Sequence, residues 1–112
     1  MEPPARKNAP QRNNNPLNIQ HGSFTERFGA TLDPISKRWA KFPTPEDGFQ
    51  AARELLLSDG YNRPLEQAMR RWSGGSYGAS ISPVNKTTRE MSDSELDKLI
   101  QNMAKREGWY DN

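Results

Sequence analysis

The chain contains no cysteine and only one histidine among its 112 residues. Without thiols it can form neither disulfides nor thiolate metal sites, and the single imidazole of His21 cannot hold a metal ion alone. No stretch is apolar enough for the core of a signal peptide or for a membrane span, so we expect neither an export signal nor a membrane-spanning helix. These absences favour a domain that works without a metal or other cofactor.

The chain also lacks a strong charge bias. Its 16 Lys and Arg residues and 14 Asp and Glu residues leave a net charge of +2, and the basic residues are scattered along the sequence. A mild preference for anionic partners follows, which either nucleic acid or an anionic bacterial cell wall would satisfy. Acidic residues are interleaved with the basic ones throughout, which argues against a nucleic-acid-binding face. We therefore do not expect nucleic acid as the partner.

Apolar residues make up 32% of the sequence, and three Trp, four Phe and three Tyr are enough to nucleate one core. The length suits a single domain. Residues 1–11 contain three Pro and have no apolar periodicity, which predicts a flexible arm. Residues 12–112 are predicted to form the folded domain.

Several segments place apolar residues at the spacing of three and four that builds one face of a helix. The predicted helices cover residues 45–58, 63–73 and 93–107. Thr44 and Pro45 are typical of a helix start, and Ser92 with Glu95 forms a capping box before the last helix. Aromatic and β-branched residues suggest at most a small hairpin between residues 23 and 42. The predicted fold class is therefore mainly α with a short β-hairpin.

Glu107 continues the apolar row of the last predicted helix. The row contains Leu96, Leu99, Ile100 and Met103, and Glu107 follows Met103 by four positions. Desolvation on this buried face and the negative end of the helix dipole both predict a raised pKa for Glu107. A carboxyl group that stays protonated near neutrality suits a general acid for glycosidic bond cleavage. The alternative is a frayed helix end, with Glu107 in solvent or bonded to a backbone N–H of a neighbouring loop.

The run RNNNPLN at residues 12–18 predicts a structured turn, because Asn tolerates the left-handed backbone region and bonds its own main chain. Extended by Ile19, this run resembles a signature of small lysozyme-like proteins of bacteriophages. These are described as virion-associated lytic transglycosylases or as structural proteins with that domain. RWAKFPTPEDGFQAARELL and LEQAMRRWSGGSYGASI resemble the same family, so the resemblance covers roughly residues 12–82.

The closing segment LIQNMAKREGW resembles the glutamate helix of the same superfamily. Ordinary members have the glutamate helix first and the polar turn after it, whereas here the helix comes last. The resemblance therefore implies a small, circularly permuted lysozyme-like domain, which surface termini that lie close together would permit. It also implies that Glu107 is the catalytic acid and that it lies beside the polar turn.

The resemblance implies a bacteriophage particle protein that cleaves the glycan strand of bacterial peptidoglycan and contacts other virion proteins. Lytic transglycosylases use one glutamate, which protonates the leaving oxygen and then removes a proton from the 6-hydroxyl of the sugar. Hydrolysis ordinarily needs a second carboxylate, for which Glu26, Asp33 and Glu46 are candidates. A single conspicuous carboxylate fits the transglycosylase reaction better.

The candidate substrate-binding residues are Asn14, Asn15, Asn18, Tyr77 and Trp109. The Asn amides would bond N-acetyl and hydroxyl groups, the Tyr lies on a Gly-rich segment that would close over a sugar, and the Trp would stack on a sugar ring. Core packing is the preferred interpretation of the other two Trp residues, at positions 39 and 72, since each extends an apolar pattern.

A second function stays open, that of a catalytically inactive virion structural protein that uses the lysozyme-like fold as an interaction module. Two departures from the family pattern keep it open. Leu17 stands where the family usually has Gly, and Ser73 with two Gly follows Trp72 where the family usually has Pro and polar residues.

Overall fold

The computed structural model describes residues 8–73 and 86–110, and helices dominate its regular structure. Its elements, in chain order, are α1 (Ala9–Arg12), α2 (Ser23–Glu26), β1 (Thr31–Leu32), β2 (Ala40–Lys41), α3 (Pro45–Leu56), α4 (Leu65–Ser73), a 3-10 helix (Thr88–Glu90) and α5 (Asp93–Glu107). The chain is a mainly helical domain with a two-stranded hairpin. The predictions of a mainly α fold class and of three longer helices are confirmed, with helix ends that shift by at most two residues.

The ends of the longer helices follow from local chemistry. The Thr44 hydroxyl accepts the backbone N–H of Asp47 at the start of α3, at 3.2 Å. At the start of α5 the Ser92 hydroxyl accepts the N–H of Glu95 at 3.1 Å, and the Glu95 carboxylate accepts the N–H of Ser92 at 2.9 Å. α5 ends at Gly108, whose φ of +100° is the left-handed conformation that glycine adopts without strain.

The hairpin is antiparallel and pairs Thr31 with Lys41 and Leu32 with Ala40. It is shorter than the predicted hairpin region at residues 23–42, because residues 23–26 form α2. The Thr25 hydroxyl accepts the N–H of Gly22 and donates to its carbonyl, each at 3.0 Å. Such local bonds from a threonine favour a helical turn over a strand.

Helices α3 and α5 pack side by side and run in opposite directions. Phe49 near the start of α3 meets Trp109 just beyond α5, with ring centroids 5.5 Å apart in an edge-to-face arrangement. Arg53 near the end of α3 forms an ion pair of 3.0 Å with Asp97 near the start of α5. The core buries apolar residues of all three longer helices, namely Ala51, Ala52, Leu56, Leu65, Ala68, Met69, Leu96, Leu99, Ile100 and Met103, while Phe49, Leu55 and Trp72 are partly buried against it.

Four residues that the sequence assigned to the N-terminal arm, residues 8–11, are part of the described fold. Residues 8–11 form the start of α1, in which the Asn8 side chain accepts the N–H of Gln11 at 3.1 Å. Pro10 and Gln11 are buried. The folded domain therefore includes residues 8–11, and the rest of the predicted arm, residues 1–7, lies outside the described residues.

Candidate functional site

Glu107 occupies the last turn of α5 in a half-buried position. The residues one turn earlier, Met103 and Ala104, have no exposed surface. The helix end is ordered by hydrogen bonds from the N–H of Gly108 to the carbonyl of Lys105, at 3.1 Å, and from the N–H of Trp109 to the carbonyl of Ala104, at 2.9 Å. These bonds close the last turn, so the frayed end considered for Glu107 is not the conformation that the structure shows.

The segment after Glu107 is hydrogen-bonded to the first helix. The side-chain amide of Asn8 donates to the carbonyl of Gly108 at 2.7 Å, and the N–H of Tyr110 donates to the side-chain oxygen of Gln11 at 3.0 Å. These pairs are separated by 100 and 99 positions in the sequence. Since α1 leads directly into the polar turn at residues 12–18, the end of α5 lies against the segment that opens this turn.

The polar turn contains the left-handed residues that its composition predicts. Asn14 and Asn18 both have a φ of +50°, and both side chains are half-buried. The Asn14 amide donates to the carbonyls of Phe42 at 3.1 Å and Pro43 at 3.3 Å. This amide therefore joins the turn to the segment between β2 and α3.

The side chain of Asn15 lies in the interior of the protein. It has no exposed surface, its amide nitrogen donates to the carbonyls of Ile19 and Ala40 at 2.9 Å each, and its oxygen accepts the N–H of Ile19 at 2.9 Å. These bonds satisfy backbone groups of the turn and of β2 inside the protein. The structure thus corrects the substrate-binding assignment of Asn15, because the same amide chemistry is used to build the turn.

Three side chains of the turn, those of Arg12, Asn13 and Asn18, carry buried polar atoms without a hydrogen-bond partner among the described residues, and for Arg12 this atom is Nε. Asn13 is fully buried, and neither atom of its side-chain amide makes a hydrogen bond of good geometry among residues 8–73 and 86–110, although the amide is close enough to Asp33 to help lower the pKa of that carboxyl group. The side-chain oxygen of Asn18 is also buried and has no hydrogen-bond partner in the described part of the chain. Buried polar groups ordinarily have a partner, so these atoms are exceptions within the interior of the turn.

The sequence offered Asp33 as a possible second catalytic carboxylate, but the structure gives it a different role. Asp33 is fully buried, forms an ion pair of 2.7 Å with Arg12 and accepts the backbone N–H groups of Ile35 and Ser36. Burial by itself raises the pKa of Asp33, but the Arg12 guanidinium and the bonds from Ser36 and Ile35 outweigh it and hold this pKa well below its usual range. Asp33 therefore stays ionised and ties the hairpin loop to the polar turn.

We expect Asp33→Asn to lower the free energy of unfolding at pH 7 by about 2–3 kcal/mol, because it leaves Arg12 without its buried counter-charge. The folded-state pKa of Asp33 is depressed, so its contribution is complete above the ordinary carboxyl value of 3.8 and is lost as pH falls below that value. Urea unfolding at pH 7, 5 and 3 should thus show a difference from wild type that shrinks at pH 3.

Asp59→Asn is the matched control for this prediction. Asp59 lies 2.6 Å from Arg89, but its side chain is 96% exposed, so the same change should shift the stability little at any of these pH values. An Asp33 variant as stable as wild type at pH 7 would contradict the assignment of Asp33 to the fold.

The other two candidate carboxylates are exposed. Glu26 lies 3.7 Å from the imidazole of His21, and Glu46 is in the first turn of α3. Glu46 also borders an open groove of about 410 Å³ between α3 and α5. The groove is lined by Glu46, Phe49, Gln50, Arg53, Asp97, Ile100 and Gln101. Its lining is mixed polar and apolar, and Phe49 joins it to Trp109 at the end of α5.

The aromatic candidates differ in their surroundings. Trp109 is half-buried, packs edge-to-face on Phe49 and follows Glu107 by two positions. Trp39 and Trp72 are half-buried as well, and the Arg38 guanidinium lies 4.3 Å from the centre of the Trp39 ring. Their assignment to the core therefore holds only in part. Tyr77 lies outside the described residues.

Sequence reasoning missed the importance of Gly48. A Cβ atom placed on Gly48 would lie 2.1 Å from the backbone oxygen of Asn14 and 2.8 Å from the ring of Pro16. The first turn of α3 thus touches the main chain of the polar turn. A glycine inside a helix costs about 0.5–1 kcal/mol relative to alanine, so its presence in the PEDG segment was a signal of close approach. Asn8 and Gln11 gave no such signal, since they resemble any polar residues near a chain end.

The described chain is a small helical domain whose first and last helices are joined by hydrogen bonds. Within the described ranges no cluster of three or more His, Cys, Asp or Glu side chains could hold a metal ion. None of the helices seen in residues 8–73 and 86–110 combines the length and apolar character needed to cross a membrane. Comparisons with models of protein families, with curated proteins and with solved structures found no match.

Proposed function

We propose that this protein cleaves the glycan strand of bacterial peptidoglycan as a lytic transglycosylase of a bacteriophage particle, with Glu107 as its only acid and base. The observation that carries the proposal is the pair of hydrogen bonds that joins Gly108 and Tyr110 to Asn8 and Gln11. The helix that bears the candidate acid thereby ends beside the segment that opens the polar turn. This proximity is what the permuted order of the lysozyme-like family requires.

The fold we propose is a circularly permuted lysozyme-like domain. A circular permutation opens the chain at a former connection, here the one from the glutamate helix to the polar turn, so the present chain ends are expected to lie close together. Residues at both ends of the described chain are within hydrogen-bonding distance of each other, which supports this proposal. The antiparallel packing of α3 and α5 also brings the start of α3 to the same end of the domain.

In the proposed reaction the carboxylic acid of Glu107 donates its proton to the glycosidic oxygen while the bond from that oxygen to the anomeric carbon breaks. The carboxylate that remains takes the proton of the 6-hydroxyl on the same sugar. The oxygen of this hydroxyl then bonds to the anomeric carbon and closes a 1,6-anhydro ring. No water is consumed, so no second carboxylate is needed to activate one.

The residues we propose for glycan contacts are Asn14, Asn18 and Trp109, with Tyr77 retained from the resemblance to the family. Asn14 and Asn18 are half-buried on the left-handed turn, and Trp109, which is also half-buried, lies two positions after Glu107. A sugar is recognised by amide groups in its plane and by an aromatic ring on its face. Asn15 is left out of this set, because its side chain has no exposed surface and both the nitrogen and the oxygen of its amide bond within the protein.

Mass spectrometry of muropeptides released from purified sacculi tests the proposal. We expect products with anhydro-muramyl ends. Products with reducing ends would show that the protein is a hydrolase and not a transglycosylase. Sacculi left intact would favour the alternative of an inactive virion structural protein. The assay should use both Gram-negative sacculi and sacculi stripped of anionic polymers. Otherwise, polymers that block access to the glycan could make an active enzyme look inactive.

A further inference from the structure

The side chain of Asn8 is bonded to both the first and the last helix. Its oxygen accepts the N–H of Gln11 at 3.1 Å and so caps the start of α1. Its nitrogen donates to the carbonyl of Gly108, at 2.7 Å, just beyond the end of α5. Making both bonds requires an acceptor and a donor on one short side chain. The amide of asparagine has an oxygen that accepts and a nitrogen that donates, held in a fixed geometry.

Gln11 makes a second bond to the same segment. Its side-chain oxygen accepts the N–H of Tyr110 at 3.0 Å, and the residue is only 9% exposed. The bonds from Asn8 and Gln11 therefore bracket Trp109 on both sides. Gly108, which Asn8 holds, is the residue directly after Glu107 and has a left-handed φ of +100°.

We propose that Asn8 and Gln11 are positioning residues for the acid of the reaction, since they fix the turn that follows Glu107 and thereby the direction of its side chain. This inference rests on the proposed catalytic function of Glu107. The last turn of a helix leaves carbonyl groups without helical partners, and an unsupported end moves easily. A displacement of about 1 Å at a catalytic group can cost a factor on the order of 100 in rate, so support of this turn matters for catalysis.

Asn8→Ser tests the role of the donor. Serine retains an oxygen that caps α1 but is too short to reach the carbonyl of Gly108. We expect kcat for glycan cleavage to fall about tenfold, a fraction of the loss that a misplaced acid can cause, while KM changes less than about twofold. Gln11→Met, which keeps the length of the side chain and removes the acceptor for Tyr110, should have the same effect.

The matched control is Asn62→Ser. The Asn62 side chain also accepts a backbone N–H, that of Arg89, but it lies in the connection between α3 and α4. Its replacement should leave kcat unchanged at a temperature well below the Tm of every variant. If Asn8→Ser lowers the Tm but leaves kcat equal to that of wild type, Asn8 has a structural role only and the positioning inference is overturned.

A double-mutant cycle separates this inference from the proposed function. If Asn8 acts through Glu107, Asn8→Ser should have no further effect on the residual rate of Glu107→Gln, whereas two independent effects would multiply. Multiplying effects would overturn the positioning role while the catalytic role of Glu107 stands. A wild-type protein without glycan cleavage, or a fully active Glu107→Gln variant, would instead overturn the proposed function, and the positioning role with it.

Hydrogen exchange at the backbone amides of Trp109 and Tyr110 gives a readout that does not depend on activity. We expect both Asn8→Ser and Gln11→Met to raise these exchange rates, with little change at amides in the middle of α5. Unchanged exchange at Trp109 and Tyr110 would show that the bonds do not hold this segment, and would overturn the inference even if cleavage by Glu107 is established.

Discussion

Glu107→Gln is expected to lower the rate of glycan cleavage by a factor on the order of 1,000 or more, because the same carboxyl group serves as the acid and then as the base. Glutamine keeps the size of the side chain and its capacity for hydrogen bonds but can neither donate the catalytic proton nor remove the second one. The measurement is the initial rate of release of anhydro-muropeptides from purified sacculi.

The fold should survive this substitution. A half-buried side chain in the last turn of α5, replaced by one of the same shape, should shift the Tm by no more than about 3 °C. Glu66→Gln, an exposed change of the same kind on α4, is the control and should retain the wild-type rate. If the Glu107 variant is fully active, Glu107 is not the catalytic acid. If the variant instead fails to fold, Glu107 is mainly a structural residue.

Gly48→Ala is expected to destabilise the protein by about 3 kcal/mol, because the added methyl group would lie 2.1 Å from the backbone oxygen of Asn14. The preference of a helix for alanine over glycine returns only about 1 kcal/mol, which is too little to offset the overlap. For a domain of this size the Tm should fall by about 10 °C or more, as measured by circular dichroism. The substitution should also impair cleavage, since it forces the polar turn away from α3.

Two other glycines provide controls for this prediction. A Cβ atom on Gly22 would meet nothing within 4 Å, and one on Gly60 would meet only the flexible end of Arg71, at 3.9 Å. Alanine at either position should change the Tm by only a few degrees. If Gly48→Ala is as stable as these controls, the close contact between α3 and the polar turn is not a feature of the protein in solution.

Local sequence patterns were sufficient to predict the longer helices. The start of α3 at Pro45 and the capping box at Ser92 depend on residues within four positions of each other, and the structure has the corresponding hydrogen bonds. The left-handed backbone at Asn14 and Asn18 is also a local preference of asparagine, and it is confirmed. The strands were harder to predict from the sequence. The hydrogen bonds between Thr25 and Gly22 stabilise α2 in a segment that was expected to belong to the hairpin.

The candidate site was predictable only in outline. Glu107 stood out because it continues an apolar row, which is a property of a single helix. The same composition that made Asn15 a candidate for sugar binding also suits a buried bridge between Ile19 and Ala40, and no local pattern separates the two roles. Asp33 is a similar case, since only its pairing with Arg12, 21 positions earlier, turns a possible catalytic carboxylate into a structural one.

The sequence alone determined the helical class of this protein, the ends of its longer helices and the unusual position of Glu107, because each follows from interactions between residues a few positions apart. Only the tertiary structure decided which asparagine is interior, why Gly48 is needed, and that Asn8 and Gln11 hold the end of α5. Those contacts join segments from about 25 to 100 positions apart, and chain closure over such distances depends on how the whole core packs and not on any local preference.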